Sequence, residues 1–333
     1  MAYEAELAAG LEAVRAAARV CRSVQRRLVT AETLEKRDKS PVTVADFASQ
    51  AIVCQRLEVA FGDDPLVGEE GSAELREGAQ AGLRDAVVRE VAGEVAGAPG
   101  AESVLGWIDR GAADGTTARY WTLDPIDGTK GFLRGEQYAV ALGLLEDGEV
   151  KLGLLGCPNL PDEQGGTGAL FAAVRGGGAR AYAMWDDGDS AGQPVRVSDI
   201  TDPGDARFCE SVESGHSNQD EAARIARELG ITREPFRIDS QCKYASVARA
   251  DASIYLRMPT RADYREKIWD HAAGMIVVQE AGGRVTDVNG DELDFGHGRT
   301  LERNRGIVAT CGPIHDRVIE VVRAVRGAGR ERS

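Results

Sequence analysis

Apolar residues recur with a helical period at the start of the chain and as strand-like runs after residue 130. From residue 3 to about residue 30 they recur at helical spacing with charges between them, which predicts a long amphipathic helix. Residues 137–145 and 150–157 are apolar runs joined by an acidic turn that contains a glycine, which predicts an antiparallel hairpin. Shorter strands are predicted at 168–174, 179–183 and 195–197. The first part of the chain therefore predicts helices and a mainly antiparallel sheet.

Beyond residue 199 the pattern changes to alternating strands and helices. Strands are predicted at 207–210, 236–238 and 253–256, and helices follow them at 218–229, 241–249 and 268–280. Such alternation is typical of an α/β domain. The sequence thus predicts a first domain over residues 1–198 and a second, α/β domain over residues 199–333, with a hairpin turn at Asn289-Gly290.

Two acidic segments precede the predicted hairpin. A charged loop over residues 36–46 is predicted to lead into a helix over residues 47–60, with Asp46 as an N-cap at the helix start. A short strand then ends in Glu69 and Glu70. Because side chains alternate along an extended chain, at most one of these two acids is expected to point directly into a site.

Residues 72–118 are rich in Ala, Gly, Glu and Arg. They predict one helix, over residues 81–95, before a Gly-Ala-Pro-Gly break at residues 97–100. No chemistry is evident in this segment, so we expect a peripheral insertion that is mobile at the break.

Composition narrows the range of partners. The 333 residues are 43% hydrophobic and 28% charged, which is typical of a globular chain, and the net charge of −14 opposes binding to nucleic acid or to an anionic membrane. No apolar run approaches the ~18 residues of a membrane helix, and the N-terminus has no signal-peptide pattern. We therefore expect a cytoplasmic protein with a small-molecule ligand, most simply a monomer.

The six cysteines are scattered without a CxxC pair or regular spacing. This arrangement argues against both a zinc cluster and a disulfide framework. The cysteines are expected to be small core residues.

The strongest candidate for chemistry is Asp124-Pro125-Ile126-Asp127-Gly128-Thr129, which follows a predicted strand. Read as a tight turn, it brings Asp124 and Asp127 close enough to share ions about 4 Å apart, the usual two-metal distance. Asp-Gly between apolar runs is also a hairpin signal, so the motif alone leaves a purely structural turn open.

A second acidic motif is Trp269-Asp270-His271-Ala272-Ala273-Gly274, which is predicted to begin a helix with Asp270 in its first turn. The small residues behind the acid allow another backbone to approach closely. A packing helix with a favourable N-terminal acid is the alternative. His271 is expected to be structural, since magnesium prefers oxygen ligands.

Candidate anion ligands occur in the second half of the chain. Ser240 is predicted as the N-cap of the next helix, and Lys243 lies in its first turn, where the helix dipole disfavours a cation. This predicts an anion site as readily as a solvated lysine. Arg257, at the end of an apolar strand, is either a surface residue or a ligand clamp, and His216 is either a linker residue or a ligand contact.

Taken together, four ordered motifs resemble a known group of enzymes. They are Asp46, Gly68-Glu69-Glu70, the 124–129 motif and the 269–274 motif. This set is similar to the signature of the lithium-sensitive, magnesium-dependent phosphatases, a superfamily that includes inositol monophosphatase and fructose-1,6-bisphosphatase. Longer stretches resemble its branch of bisphosphate nucleotidases of the yeast and plant salt-tolerance type, at residues 39–46, 127–135, 156–161, 210–213 with 216–217, 239–241 with 243–244, and 266–274. The resemblance covers nearly the whole chain and is weakest at about residues 72–118.

The resemblance implies an α/β fold with αβαβα layers, as in sugar phosphatases. It also implies site roles. Two or three Mg²⁺ ions would be held by Glu69, Asp124, Asp127, Asp270 and the Ile126 carbonyl. Asp46 and Thr129 would orient and deprotonate the attacking water, with Glu70 helping to position a metal-bound water. The nucleotide would meet Gly128, Thr129, His216, Ser240, Lys243 and Arg257.

Charge supports the metal prediction independently. Five carboxylates around one phosphate, from Asp46, Glu69, Asp124, Asp127 and Asp270, would repel one another unless divalent cations neutralised them. The resemblance implies removal of the 3′-phosphate of adenosine 3′,5′-bisphosphate, with the 3′-phosphorylated sulfate donor as a second substrate, Mg²⁺ dependence and Li⁺ inhibition. The alternatives are an inositol phosphate or fructose-1,6-bisphosphate phosphatase of the same superfamily, and a catalytically silent nucleotide sensor.

Overall fold

A computed structural model describes residues 2–28, 40–162, 165–186, 191–212, 219–259, 261 and 263–330. Within these residues the chain forms nine α-helices and twelve β-strands. The helices are α1 (Glu4–Leu28), α2 (Ser40–Phe61), α3 (Ala81–Glu94), α4 (Ala101–Asp109), α5 (Thr129–Leu133), α6 (Gln219–Glu228), α7 (Cys242–Ala248), α8 (Ala272–Glu280) and α9 (His315–Arg330).

The strands form two sheets. Those of the first sheet are β1 (Leu66–Gly68), β2 (Arg119–Asp127), β3 (Ala139–Glu146), β4 (Glu149–Pro161), β5 (Thr167–Val174), β6 (Gly178–Ala183) and β7 (Gln193–Val195). Those of the second are β8 (Phe208–Glu210), β9 (Phe236–Arg237), β10 (Ile254–Arg257), β11 (Arg284–Thr286) and β12 (Ile307–Thr310).

The first sheet runs in simple sequence order from β1 to β7. Only β1 and β2 are parallel, and every other neighbouring pair is antiparallel. The predicted hairpin is β3–β4, in which Glu146 faces Glu149. Asp147 and Gly148 between them both have positive φ, of 52° and 77°. That geometry belongs to the two-residue turn that matches the natural twist of paired strands, so the hairpin prediction is confirmed.

The second sheet has the order β11-β12-β10-β8-β9. Strands β8, β9 and β10 are parallel neighbours, with α6 and α7 in the connections, as alternating strands and helices predict. Strand β12 pairs antiparallel with both β10 and β11. The 287–291 segment makes a turn, with the Gly290 amide donating to the Asp287 carbonyl, but no second strand follows it directly. The hairpin predicted at Asn289-Gly290 is therefore wrong.

Helices and sheets alternate in five layers. Helices α1 and α2 cover one face of the first sheet, and α8 lies between β3–β5 on one side and β11–β12 on the other, beside α7. Helices α6 and α9 pack together on the outer face of the second sheet. Three apolar cores separate the layers. The αβαβα fold is confirmed, and each sheet comes from one side of the boundary at residue 198, though the division into domains stays a prediction.

Two predictions about the start of α2 are wrong. The helix begins at Ser40 and not at residue 47, and Asp46 therefore lies in its second turn and is not an N-cap. The Ser-Pro pair at residues 40 and 41 fits a helix start, because proline at the first helical position lacks only an amide that has no partner there. The charged stretch predicted as a loop lies mostly at 36–39, outside the described residues.

Residues 72–118 are part of the structure's core. They form α3 as predicted and also α4, and their fully buried side chains are Leu75, Val87, Val91, Val104, Leu105 and Ile108. Both helices pack on α2. The expectation of a peripheral insertion is therefore wrong, while the break at 97–100 does separate two helices.

All six cysteines are buried and free, as predicted. No helix of the described ranges is long and apolar enough to cross a membrane.

Candidate active site

The central acidic motif is a bulged strand. Strand β2 continues through Asp127, and its pairing with β3 shifts register between Asp124 and Asp127. Proline cannot donate to a strand ladder, and a bulge is where an interior strand tolerates it. The Pro125 carbonyl instead accepts a hydrogen bond of 2.9 Å from the Ser49 hydroxyl of α2. The predicted β-turn is thus wrong, but the shifted register still places both acids at the end of one central strand.

Gly128 then turns the chain from strand into helix. Its φ is +91°, and a Cβ at this position would lie 2.8 Å from the Cβ of Ser240. Glycine is needed both for the left-handed backbone and for this close approach. Helix α5 begins at the next residue, Thr129, whose side chain is exposed. The turn therefore presses the end of β2 against the loop that precedes α7.

The backbone of the Glu69-Glu70 pair is held by two buried or half-buried side chains. The amide group of Gln50 donates to the Glu70 carbonyl (2.7 Å) and accepts from the Glu70 amide (3.1 Å). Arg299 donates to the Gly68 carbonyl at 2.6 Å. These contacts fix the acids at the end of β1, which is the parallel neighbour of β2.

The acids near these two strand ends raise one another's pKa. Burial, followed by the charges of Glu69 and Asp127, raises the pKa of Asp124 well above its ordinary value, and Asp270 and Asp46 add to the effect. Burial, then Glu70 and Glu69, raises the pKa of Asp46 in the same way. The structure therefore brings together the carboxylates of Asp46, Glu69, Glu70, Asp124, Asp127 and Asp270.

Two members of this acidic group have intermediate pKa values. Removal of the carboxylate from water and repulsion by Asp270 raise the pKa of Glu69 to about 7, even though part of its side chain is exposed. The same two causes raise the pKa of Asp127 to about 6, against the opposing charges of Lys243 and Arg257. Carboxylates that disfavour one another's negative charge in this way need nearby cations if they are to stay ionised.

The acidic group fits divalent cations. The Oδ1 atom of Asp124 is buried and has no hydrogen-bond partner among the described residues. Leaving such an oxygen unpaired costs about 1–3 kcal/mol, more for a charged group. The neighbouring donors are carboxylate oxygens, which are the ligands that Mg²⁺ prefers. These residues therefore fit a hard divalent ion and not a soft one.

A cleft of about 540 Å³ opens beside the acidic group. Asp127, Thr129 and Asp270 line it, together with Lys243 and Arg257. Ser240 also lines it, with a positive φ of 66° and a hydroxyl that accepts from the Cys242 amide at 3.2 Å. Positive φ in a non-glycine residue is a strained backbone of the kind found at functional sites.

Lys243 is a buried cation in this cleft. It is 5% exposed, and its ammonium lies 5.3 Å from the ring centroid of Tyr255. Burial lowers its pKa, against the opposing effect of Asp127. It occupies the first turn of α7, as predicted, although α7 starts at Cys242 and is only seven residues long. A desolvated ammonium facing a cleft is strongly attracted to an anion.

The chain is similar to known proteins. The sequence profile of the inositol monophosphatase family matches residues 3–326. The chain belongs to the inositol monophosphatase family.

Members of this family with similar sequences share one name. A protein of Schizosaccharomyces pombe called "3′(2′),5′-bisphosphate nucleotidase" is 45% identical over 342 residues, covering 98% of this chain and 97% of its own. A protein of the same name from Oryza sativa is 47% identical over 330 residues, covering 92% of this chain and 90% of its own.

Solved structures of the family share the fold. The extragenic suppressor protein SuhB of Bartonella henselae has a TM-score of 0.63 at 20% identity, covering 96% of this chain and 100% of its own. CysQ of Bacteroides thetaiotaomicron, described as a bacterial member of the inositol monophosphatase family, has a TM-score of 0.63 at 19% identity, covering 93% and 99%.

The acid of the second family motif lies outside the α-helix that was predicted to contain it. Asp270 ends a short 3₁₀ turn (Ile268–Asp270), and α8 starts two residues later. Its carboxylate accepts from Arg257 Nη2 at 3.3 Å. His271 is fully buried and hydrogen-bonded to Tyr244 and Glu266, which agrees with the structural role predicted for it. His216 lies outside the described residues.

Sequence patterns missed several residues that shape this candidate site. Glu266 forms an ion pair of 2.8 Å with Arg257, and Arg134 at the end of α5 forms one with the buried Asp239. Gln50 is the third such residue, because its side-chain amide donates to the Glu70 carbonyl. Arg134 and Gln50 act on partners 105 and 20 positions away. The partner of Glu266 is nearer in sequence, but nothing local distinguishes these three residues from ordinary helix or loop residues.

Proposed function

We propose that this chain is a metal-dependent 3′(2′),5′-bisphosphate nucleotidase. It removes the 3′-phosphate of adenosine 3′,5′-bisphosphate to give AMP and phosphate, and it also accepts 3′-phosphoadenylyl sulfate. The similar proteins of that name, which align along almost the whole chain, support this substrate class. We expect it to act as a cytoplasmic monomer.

One observation carries the proposal: acidic and cationic side chains line the same cleft. The acids are Asp127 and Asp270, and the cations are Lys243 and Arg257. A substrate with two phosphates suits such a cleft, because one phosphate can lie over metal ions while the other meets the fixed cations. Arginine and lysine both bind phosphate, and arginine can do so with two parallel hydrogen bonds.

The metal ions would be Mg²⁺, two or three in number. Glu69, Asp124, Asp127 and Asp270 would hold them with carboxylate oxygens, together with the Ile126 carbonyl from the bulge in β2. When bound, they supply positive charge that stabilises the phosphoryl and leaving-group oxygens. The unpaired Oδ1 atom of Asp124 supports this assignment.

The attacking water would be handled by Asp46 and Thr129. Their helices, α2 and α5, are in contact. Asp46 is 8% exposed, and burial raises the pKa of its carboxylate, which favours its role as the group that takes a proton from water. The Thr129 hydroxyl would orient that water. Glu70, whose negative charge acts on Asp46, would help to position the same water. Gly128 and Ser240, which both line the cleft, would contact the substrate.

A phosphate-release panel tests the proposal. The purified protein is assayed with adenosine 3′,5′-bisphosphate, 3′-phosphoadenylyl sulfate, inositol 1-phosphate and fructose 1,6-bisphosphate, each with Mg²⁺, with EDTA and with Mg²⁺ plus Li⁺. We expect the first two to be hydrolysed in Mg²⁺ only, with inhibition by Li⁺. Turnover of the sugar or inositol phosphate without the nucleotides would assign another branch of the family. Nucleotide binding without any turnover would indicate a sensor.

A further inference from the structure

A buried hydrogen-bonded chain leads from α7 to the cleft. The Tyr244 hydroxyl lies 2.8 Å from His271 Nδ1, and His271 Nε2 lies 3.1 Å from Glu266 Oε2. The same Glu266 oxygen lies 2.8 Å from Arg257 Nε. Tyr244 and His271 are completely buried, whereas Arg257 and the 4% exposed Glu266 reach the cleft.

The chemistry of these groups fixes the direction of each bond. An ionised carboxylate only accepts hydrogen bonds, so His271 Nε2 and Arg257 Nε both donate to Glu266. His271 Nδ1 is then free to accept the proton of the Tyr244 hydroxyl. In this arrangement both His271 and Arg257 hold the Glu266 carboxylate in one orientation.

Glu266, Asp270 and His271 are as compact as a metal site, since one ligand atom of each lies within 4.8 Å of the others. The guanidinium of Arg257 already supplies the positive charge there. It donates to Glu266 at 2.8 Å and to Asp270 at 3.3 Å. Under the proposed function Asp270 turns to a metal ion, which leaves Glu266 as the carboxylate that holds Arg257.

We propose that Glu266 is a positioning residue that sets the specificity for a second phosphate. Held by His271, its carboxylate fixes the Arg257 guanidinium against the cleft wall, where the guanidinium meets the phosphate that is not hydrolysed. This inference rests on the proposed function. It implies that discrimination between bisphosphate and monophosphate nucleotides depends on a largely buried residue that acts through Arg257.

The test compares adenosine 3′,5′-bisphosphate with adenosine 3′-monophosphate, which lacks the second phosphate. For the native protein we expect a kcat/KM ratio that strongly favours the bisphosphate. Glu266→Gln keeps the shape and removes the charge. It should lower that ratio by roughly tenfold through KM for the bisphosphate, with a small effect on the monophosphate, as expected for loss of a charged hydrogen-bond partner. Calorimetry in Mg²⁺ should show weaker AMP binding and unchanged adenosine binding.

The exposed Glu292 does not line the cleft, so Glu292→Gln is the matched control and should leave both substrates unaffected. In a protein that already carries Arg257→Met, Glu266→Gln should add no further loss of the ratio. If Glu266→Gln does not fold, Glu266→Asp keeps the charge, shortens its reach and should lower the ratio in the same direction.

An equal loss for both substrates, or an unchanged ratio, would overturn the positioning role of Glu266. Failure of the native protein to hydrolyse the bisphosphate is a separate result, because it contradicts the proposed function before any variant is made.

Discussion

At the scale of single residues, Asp127 offers the sharpest test of the acidic group. Its carboxylate accepts a hydrogen bond from the backbone amide of Gln241, and the side-chain oxygen of an asparagine could still accept that bond. Asp127→Asn should therefore fold normally but lose a metal ligand. We expect kcat to fall by roughly 10³-fold or more, and Mg²⁺ affinity to fall by at least about tenfold. Phosphate release and calorimetric titration with Mg²⁺ measure the two effects.

The exposed Asp85 on α3 provides the control, since Asp85→Asn removes the same charge from the surface. That variant should keep native activity and metal affinity. Near-native turnover in Asp127→Asn would rule out the assigned role.

His315 should make the second half of the fold sensitive to acid. It is 1% exposed, and its ring nitrogens lie 3.0 Å from the Thr286 hydroxyl and 2.9 Å from the Thr310 hydroxyl. Burial, assisted by Arg284, lowers its pKa from 6.5 to about 4. The unfolded chain binds a proton more readily, so stability from this residue is complete above pH 6.5 and is lost towards pH 4.

The measurement for His315 is the free energy of unfolding of the native protein and of His315→Gln at several pH values. Between pH 7 and pH 5 the native protein should lose more stability than the variant does. Parallel curves would show that the imidazole does not titrate with folding.

At the scale of elements, an alanine at position 274 in α8 would be favoured by helix propensity and opposed by packing. A Cβ there would lie 2.2 Å from Cδ2 of the Tyr244 ring. Alanine is favoured in a helix interior by about 1 kcal/mol, whereas overfilling a core costs about 1–3 kcal/mol or more. Tyr244 cannot retreat easily, because it is fully buried and stacks edge-on against Tyr255. Gly274→Ala should therefore lower the free energy of unfolding.

Gly106 in α4 is the matched control, because a Cβ added there would meet nothing within 4 Å and the residue is exposed. Gly106→Ala should stabilise the protein slightly, by up to about 1 kcal/mol. Chemical denaturation of both variants decides the point, and a stabilised Gly274→Ala would show that Tyr244 can move at little cost.

Elements were predictable from sequence where one local pattern decided them. The β3–β4 turn is an example, since Asp-Gly between apolar runs has one preferred geometry. The start of α2 was missed because Val42, Thr43 and Val44 are β-branched and favour strands, while Ser40-Pro41 indicates a helix start. Helix α4 was missed because its apolar residues stand in an Ala- and Gly-rich segment, and only contact with α2 shows that they are core.

At the scale of the whole molecule, the sequence predicted which acids come together but not which side chains hold them in place. The ordered motifs predicted that Asp46, Glu69, Asp124, Asp127 and Asp270 meet, and the structure brings them together. The side chains that hold the site came from structure alone. Gln50 grips Glu70 from another element, and Arg134 reaches Asp239 across 105 positions. Such partners depend on tertiary packing, which leaves no local signal.

The acidic group should also control the stability of the whole protein when metal is removed. A carboxyl group whose pKa is higher in the folded state than in the unfolded state stabilises the fold below its ordinary pKa, and this stabilisation is lost as pH rises through the raised value. The raised values are about 7 for Glu69 and about 6 for Asp127, and the pKa values of Asp46 and Asp124 are also well above the ordinary one. The metal-free protein should therefore become less stable as pH rises.

Melting temperatures between pH 6.5 and pH 8 measure this effect, because the opposing titration of His315 is complete above about pH 6.5. In EDTA the melting temperature should fall across this range, and Asp124→Asn should reduce the fall because one of the repelling charges is absent. Saturating Mg²⁺ should remove most of the pH dependence, since bound cations keep the carboxylates ionised. Identical pH profiles in EDTA and in Mg²⁺ would mean that these acids do not bind the metal, because ligands that lose protons on binding must link metal affinity to pH.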